Sequence, residues 1–320
     1  MTQHRPFAPE CERIRSILSE NLPWSPFDFI RAIDRKGDRQ MRAEYLTRAI
    51  APDDDLRFVY SETPSAELAV CAERLPWDSD FFGYGIARLE GVFYLSPPYF
   101  RPWADFSDPL RLLLERASAR GIRYLFAQVD ARDLPLLRAL GQLGFSLIET
   151  RLIYHGSLAQ HESERYPVRA ATAEDVPSIG RTAQERVNRY DRFHADPFIR
   201  PEDAARLMYR WAEASVCEGY ADSVIVPDLP EPASFITVKY HRDKWPRWGL
   251  KLSQTVLVAV SPERKGWYPR LLSEVLYHLR GIGAEHLFHV TQATNTVVVW
   301  TWESLGHHYG RSEHVLRIVV

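Results

Sequence analysis

The sequence predicts an α/β (α+β) fold: two modules of mixed, twisted sheet flanked by helices, behind an N-terminal helical extension. Three observations carry this reading. β-branched runs such as Thr255-Val256-Leu257-Val258-Ala259-Val260 alternate with helical stripes such as Leu271, Leu272, Val275, Leu276 and Leu279. Strand, Pro- and Gly-bearing loop, helix and second strand (Leu287, Phe288, Val290) follow one another, the order of a parallel βαβ unit. The order also repeats. Arg120-Gly121-Ile122 matches Arg280-Gly281-Ile282, Leu143-Gly144-Phe145 matches Leu305-Gly306-His307, and Glu149 to Tyr154 resembles Glu313 to Ile318.

A chain of 320 residues is long enough for two cores. The net charge, 40 − 42 = −2, gives no ground for a nucleic-acid or anionic-membrane partner, so an anionic ligand must be held by local groups. Cys11, Cys71 and Cys217 are odd in number and far apart, which argues against a disulfide framework and for a reducing compartment. No apolar run reaches membrane-spanning length, and Met1-Thr2-Gln3-His4-Arg5 offers no signal-peptide core. A cytoplasmic protein is expected.

Residues 1–50 read as a helical extension for packing or for dimerisation. Cys11, Ile14, Ile17 and Leu18 form one stripe ended by Pro23, and Phe27–Ile33 and Met41–Ile50 predict further helices around an Asp34–Arg39 turn. Ala51-Pro52-Asp53-Asp54-Asp55 marks a boundary. Residues 51–160 form the first module: strands at Leu56–Tyr60 and Ala69–Glu73, a tight turn at Leu75–Gly83 held by Asp78 or Ser79, then helix, strand, helix, strand. Its Leu110 helix follows Pro102, Asp105 and Pro109 rather than a glycine loop, so no cofactor is assigned to it. After the polar linker His161–Arg165, residues 166–320 form the second module. Tyr220–Val226 and Ser234–Val238 are expected to pair antiparallel, and Tyr240–Leu250 reads as a surface hairpin or an acceptor lid.

In the second module the loop Ser261-Pro262-Glu263-Arg264-Lys265-Gly266 turns the Thr255 strand into a helix whose N-terminus can meet an anion. Val260–Gly266, Thr291-Gln292-Ala293-Thr294-Asn295 and Trp302-Glu303-Ser304-Leu305-Gly306 resemble the matching segments of the GNAT N-acyltransferases. The resemblance implies acetyl-CoA, or another acyl-CoA, as co-substrate. The strand backbone of Leu257, Val258, Ala259 and Val260 would pair with the pantetheine arm, Lys265, Gly266, Trp267 and Tyr268 would cradle the pyrophosphate, and Asn295 would support the cofactor. It also implies an oxyanion-stabilising N–H at a bulge near Val260. Two departures stand out. The loop either keeps only Gly266 of the usual Arg/Gln-x-x-Gly-x-Gly/Ala pattern or lacks two residues, with Lys265-Gly266 as its second half, and Trp302 stands where many such enzymes carry a tyrosine acid. An indole N–H donates a hydrogen bond but transfers no proton near neutral pH.

Two further peptides, Leu75-Pro76-Trp77-Asp78-Ser79-Asp80-Phe81-Phe82-Gly83 and Arg192-Phe193-His194-Ala195-Asp196-Pro197, resemble segments of GNATs of the dTDP-fucosamine acetyltransferase type. They imply a nucleotide-linked amino sugar as the amine acceptor, with Arg192, Asp196 and Gln292 on its side. His194, Glu213 or water beside Gln292 are the candidate bases, and His194 and Trp302 the catalytic candidates. The alternative is a GNAT-like protein that binds acyl-CoA or a partner without transfer. His286 and His289 alternate faces of a strand, and His307, His308 and His314 lack a partner at ligand spacing, so no metal is expected.

Overall fold

A computed structural model describes residues 7–48, 56, 59–63, 66–101, 103–159, 162 and 164–320. The expected boundary at Ala51–Asp55 lies outside the described residues. By internal contacts the chain forms two units: Met1–Thr150 with Ser312–Val320, and Arg151–Arg311. These bounds differ from 51–160 and 166–320 because the strands that close the two units are exchanged in sequence.

The first unit contains α1 (Phe7–Asn21), α2 (Arg35–Leu46), β1 (Val59–Thr63), β2 (Ala66–Arg74), α3 (Pro76–Phe82), β3 (Gly85–Tyr94), α4 (Ser107–Ala119), β4 (Ile122–Asp130) and α5 (Leu134–Gln142). β5 (Ser146–Ser157) enters the second unit from Arg151 onward. That unit continues with β6 (Val168–Ala170), α6 (Val176–Glu185), α7 (Pro201–Cys217), β7 (Ser223–Pro227), β8 (Ser234–Lys239), α8 (Trp245–Trp248), β9 (Leu252–Val260), α9 (Trp267–Gly281), β10 (His286–Gln292) and α10 (Thr296–Ser304). β11 (His308–Val319) returns to the first unit from Ser312.

The strands of both units follow one pattern. In the first unit β1, β2 and β3 pair antiparallel, β3 pairs parallel with β4, and β4 pairs antiparallel with β11, from Tyr124↔Val319 to Asp130↔Glu313. In the second unit β6, β7, β8 and β9 pair antiparallel, β9 pairs parallel with β10, and β10 pairs antiparallel with β5, from His286↔Ser157 to Gln292↔Arg151. Each carries a bulge in the strand before its parallel step. Glu90 is the extra residue between Leu89↔Ala72 and Gly91↔Cys71. Val256 and Leu257 together face Thr237, between Thr255↔Val238 and Val258↔Ile236.

The helices sit where their apolar stripes dictate. Leu271, Leu272, Val275, Leu276 and Leu279 of α9 are all buried, packed with Ile225, Ile236, Val238 and Leu287 of the sheet. Each such side chain contributes roughly 1.5–3 kcal/mol on burial. In the first unit Leu110, Leu113 and Ala117 of α4 and Leu136 and Leu140 of α5 cover Leu125, Ala127 and Val129. Cys11, Ile14 and Leu18 of α1 and Ala43 and Leu46 of α2 pack against Ala69, Cys71 and Phe93, so the N-terminal stripe joins the first unit's own core.

Several local expectations change. Phe27–Ile33 forms turns, not a helix, and the charged Asp34–Arg39 segment opens α2 instead of separating helices. Asp34 explains this: its Oδ1 accepts the N–H groups of Lys36 and Gly37, an N-cap. Leu56 lies in a turn, and its strand begins at Val59. Leu75–Gly83 is a short helix whose Ser79 Oγ donates to the Leu75 carbonyl (2.7 Å) and accepts the Ile86 N–H (2.9 Å). Ser79 thus staples α3 to β3, the expected structural role in a different geometry. The Tyr240–Leu250 insertion joins the antiparallel β8 and β9 and folds around the short α8: Trp248 is buried, and Trp245 Nε1 donates to the carbonyls of Tyr240 and Leu252. Of the linker, Arg165 and the Tyr166 N–H both bind the buried Glu274 carboxylate on α9.

Gly156 on β5 lies under the His307 imidazole, and a Cβ there would stand 2.3 Å from His307 Cδ2. Gly156→Ala should therefore cost about 1–3 kcal/mol by overpacking. Urea unfolding of both proteins checks this, and an unchanged midpoint would contradict the packing described.

Candidate functional site

The second unit's parallel ladder is short. β9 and β10 pair at Leu252↔His286, Ser253↔Leu287 and Gln254↔Phe288, and the ladder ends there. One step further, Thr255 Oγ1 and His289 Nδ1 share a hydrogen bond of 2.6 Å. Beyond that bridge β9 stays with β8 as far as Val260, and β10 stays with β5 as far as Gln292. The two strands part, leaving a fork whose inner edges carry main-chain groups in need of partners.

At the end of β9, Ser261 leads through a short turn at Pro262–Arg264 to Gly266, which has φ 91° and precedes α9. A non-glycine residue is strained there. No side chain caps the first turn of α9, and Pro269 supplies no N–H, so the amides of Trp267 and Tyr268 are the ones offered. The helix dipole adds a preference for negative charge.

The base of the fork is built from aromatic rings. His289 is fully buried, and its Nε2 shares a 2.7 Å hydrogen bond with His307 Nδ1. Trp302 of α10, also buried, stacks on His289 with ring centroids 4.7 Å apart and planes inclined by 17°. The Trp302 indole N–H donates to Tyr268 Oη at 2.6 Å. Burial, then the neighbouring His307, pushes the His289 pKa well below the ordinary imidazole value, so it stays neutral. Burial raises the Tyr268 phenol, and the indole hydrogen bond partly opposes this. Trp302 is thus a buried donor bridging α10 to α9, and Tyr268 contributes its side chain as well as its amide.

The other expected cofactor residues fall around the fork. The bulge lies at Val256–Leu257 and not near Val260, and the Leu257 N–H is already bonded to Thr237 Oγ1 at 2.8 Å. That removes Leu257 as the oxyanion donor. Val258 and Val260 are half-buried, Ala259 is buried, and Lys265 and Gly266 are exposed. Trp267 is half-buried with the Arg270 guanidinium 5.5 Å from its ring centroid. Asn295 opens α10: its N–H donates to the Gln292 carbonyl, its Nδ2 to Thr291 Oγ1, and its carbonyl accepts the Val299 N–H. It ties β10 to α10.

The segment between α6 and α7 reaches the open end of β10, where Asn188 Nδ2 donates to Gln292 Oε1 at 2.5 Å. Asp191 organises this segment. Its Oδ1 accepts the N–H groups of Phe193 and His194, and its Oδ2 accepts His194 Nδ1–H at 2.7 Å. The Arg192 guanidinium lies 4.2 Å from the Phe193 ring centroid. Asp196 is buried, and its Oδ1 accepts the Phe198 N–H, so it holds its own turn. Glu213, the other candidate base, pairs with Arg210 on α7. Among the described residues no His, Cys, Asp and Glu group could hold a metal ion, and no helix is long and apolar enough to cross a membrane.

A solved structure of a GCN5-related N-acetyltransferase from Sphaerobacter thermophilus is similar at a TM-score of 0.55, with 14% identity, over 87% of this chain and 85% of that one. The fold is that of the GCN5-related N-acetyltransferases. A GCN5-related glucosamine N-acetyltransferase region of a fungal multi-domain β-N-acetylglucosaminidase matches at 0.62 with 9% identity, over 99% of this chain but 38% of that one. A tandem GNAT protein from the clavulanic acid pathway gives 0.48, at 14% identity over 79% and 78%. No family model matches the sequence, and no curated protein does. Identities this low carry the GNAT fold and leave activity to the site.

The sequence reading of this GNAT fold placed the loop, the helix and Trp302, but missed Thr237, Thr255, His289, His307, Asn188 and Asp191. His289 had a usable signal, since it shares a strand face with the apolar Leu287, which marks it as buried.

The buried imidazoles generate a pH prediction. A neutral His289 has a folded pKa below its unfolded one, so its contribution is present above about pH 6.5 and is lost as pH falls, by up to about 1.4 kcal/mol per histidine between about pH 7.5 and 5.5. His286, pushed down to about 4 by burial and then by His155, acts in the same sense. Urea unfolding at both pH values should show a smaller loss for His289→Gln than for the native protein; equal losses would contradict a buried neutral His289.

Proposed function

We propose that the chain is a CoA-dependent N-acyltransferase, moving an acetyl or other acyl group from acyl-CoA to a small amine, with the second unit's fork as the acyl-CoA site. The observation that carries this is the parting of β9 and β10 beside an uncapped helix entered through a left-handed glycine. The strand backbone from Val258 to Val260 suits an extended amide-bearing arm, and the amides of Trp267 and Tyr268 suit a pyrophosphate, the Lys265 N–H being taken by the Pro262 carbonyl at 3.3 Å. Residue space fits too: nothing lies within 4 Å of a Cβ built on Gly266. The thioester supplies an activated acyl carbon, and the chain's groups position it and manage protons.

The first unit is read as a structural partner. Its α4 is preceded by Asp105, whose Oδ1 accepts the Ser107 N–H, so a carboxylate already takes a helix-start amide where an anion would bind. Its bulge residue Glu90 is held by Arg42 and Arg88. The acceptor is assigned to the side of Gln292, Arg192 and His194. An amino sugar is the first amine to try, because two peptides resemble amino-sugar acetyltransferases and the fungal region of like fold is named for glucosamine. Cys11, Cys71 and Cys217, held as thiols, suit a cytoplasmic setting.

Acetyl-CoA should raise the melting temperature. Ligand at about a hundredfold over its Kd adds about 2.7 kcal/mol. Gly266→Glu should abolish the shift, since it brings a negative charge to the helix start at a φ that disfavours side chains. A native protein unmoved by any acyl-CoA would overturn the proposal.

A further inference from the structure

Among the described residues His194 Nε2 is buried without a hydrogen-bond partner, and only 6% of the His194 side chain is exposed. Leaving such a nitrogen unmatched is costly, so a native structure that keeps one invites a functional account. The opposite nitrogen is fixed. Asp191 is two-handed: Oδ1 holds the turn through the Phe193 and His194 amides, while Oδ2 receives Nδ1–H. A carboxylate only accepts, so it imposes the Nδ1–H tautomer and leaves the Nε2 lone pair free. The segment is anchored by Asn188 to Gln292, four residues past the last residue of β10 that pairs with β9, or about 13 Å along the strand.

Resting on the acyltransferase reading, we propose that His194 Nε2 is the base that takes the acceptor's ammonium proton and that Asp191 is the residue that positions it. Nε2 accepts one proton from R–NH3+, giving an imidazolium beside the Asp191 carboxylate and a neutral amine. The amine nitrogen attacks the thioester carbonyl carbon and a C–N bond forms. The C–S bond breaks, sulfur leaves with the bonding pair, and it gains the second amine proton as CoA–SH. The products are the amide, the free thiol and protonated His194, which returns its proton to water. A base of this kind contributes about 10²–10⁴ in rate.

Asp191→Asn separates this role from a structural one. Asparagine keeps the Oδ1 acceptor for the turn, but its amide donates to Nδ1, which drives the proton to Nε2 and removes the base. Two measurements test it on the full chain. ¹⁵N NMR of the histidine rings at neutral pH should show His194 as the Nδ1–H tautomer in the native protein and as Nε2–H in Asp191→Asn. Acetyl transfer from acetyl-CoA to glucosamine and a panel of primary amines should fall at least about a hundredfold in kcat for Asp191→Asn and for His194→Gln, with the acetyl-CoA thermal shift retained. An Nε2–H tautomer in the native protein, or undiminished transfer by Asp191→Asn, would overturn the dyad while leaving the transferase reading intact. A native protein that binds acetyl-CoA yet acylates no amine would instead overturn the transferase reading, and the base with it.

Discussion

Where two parallel strands stop pairing, the main-chain groups they release must find other partners, and a fold tolerates that only if the point of parting is held firmly. In the second unit Thr255 and His289 hold it, one register step past Gln254↔Phe288. His289 is in turn fixed by His307 on one side and by the Trp302 ring on another, and Trp302 reaches Tyr268 in the first turn of α9. One hydrogen-bonded and stacked series therefore connects β9, β10, α9 and α10. The fork, the glycine turn and the start of α9 take their positions from it.

The same sheet pattern serves two different ends in the two units. Each has an antiparallel run, a bulge, one parallel step and a closing antiparallel strand. In the first, ion pairs of Glu90 with Arg42 and Arg88 satisfy the bulge region from the N-terminal helices and β3. In the second, the bulge N–H of Leu257 goes to Thr237, and aromatic rings fill the base of the fork. Since β5 closes the second unit's strands and β11 the first's, cutting the chain in the linker would strip each unit of its closing strand.

Much of the fold was legible because periodicity reports burial. The α9 stripe from Leu271 to Leu279 and the β9 run from Thr255 to Val260 are seen as read, and the internal repeat corresponds to a similar strand pattern within each unit. The misreadings have a common cause in local chemistry that pattern alone does not reveal. The Asp34 side chain turns a charged run into a helix start, and Ser79 turns an aromatic peptide into a short helix. The exchange of β5 and β11 was not legible, because partner choice between similar strands leaves no local trace. At the site, glycine and proline announced the loop. His289 and His307 were weighed only as metal ligands, and the value of Asp191 depends on a 2.7 Å contact that spacing does not disclose.

The central claim is that acyl-CoA enters the second unit's fork and not the matching parting of β3 and β4. Hydrogen exchange with and without saturating acetyl-CoA tests this directly. The account predicts slowed exchange in the amides of β9 beyond Thr255 and in residues 261–270, with no change between Gly85 and Phe106. Protection confined to the first unit, or spread over neither fork, would contradict it.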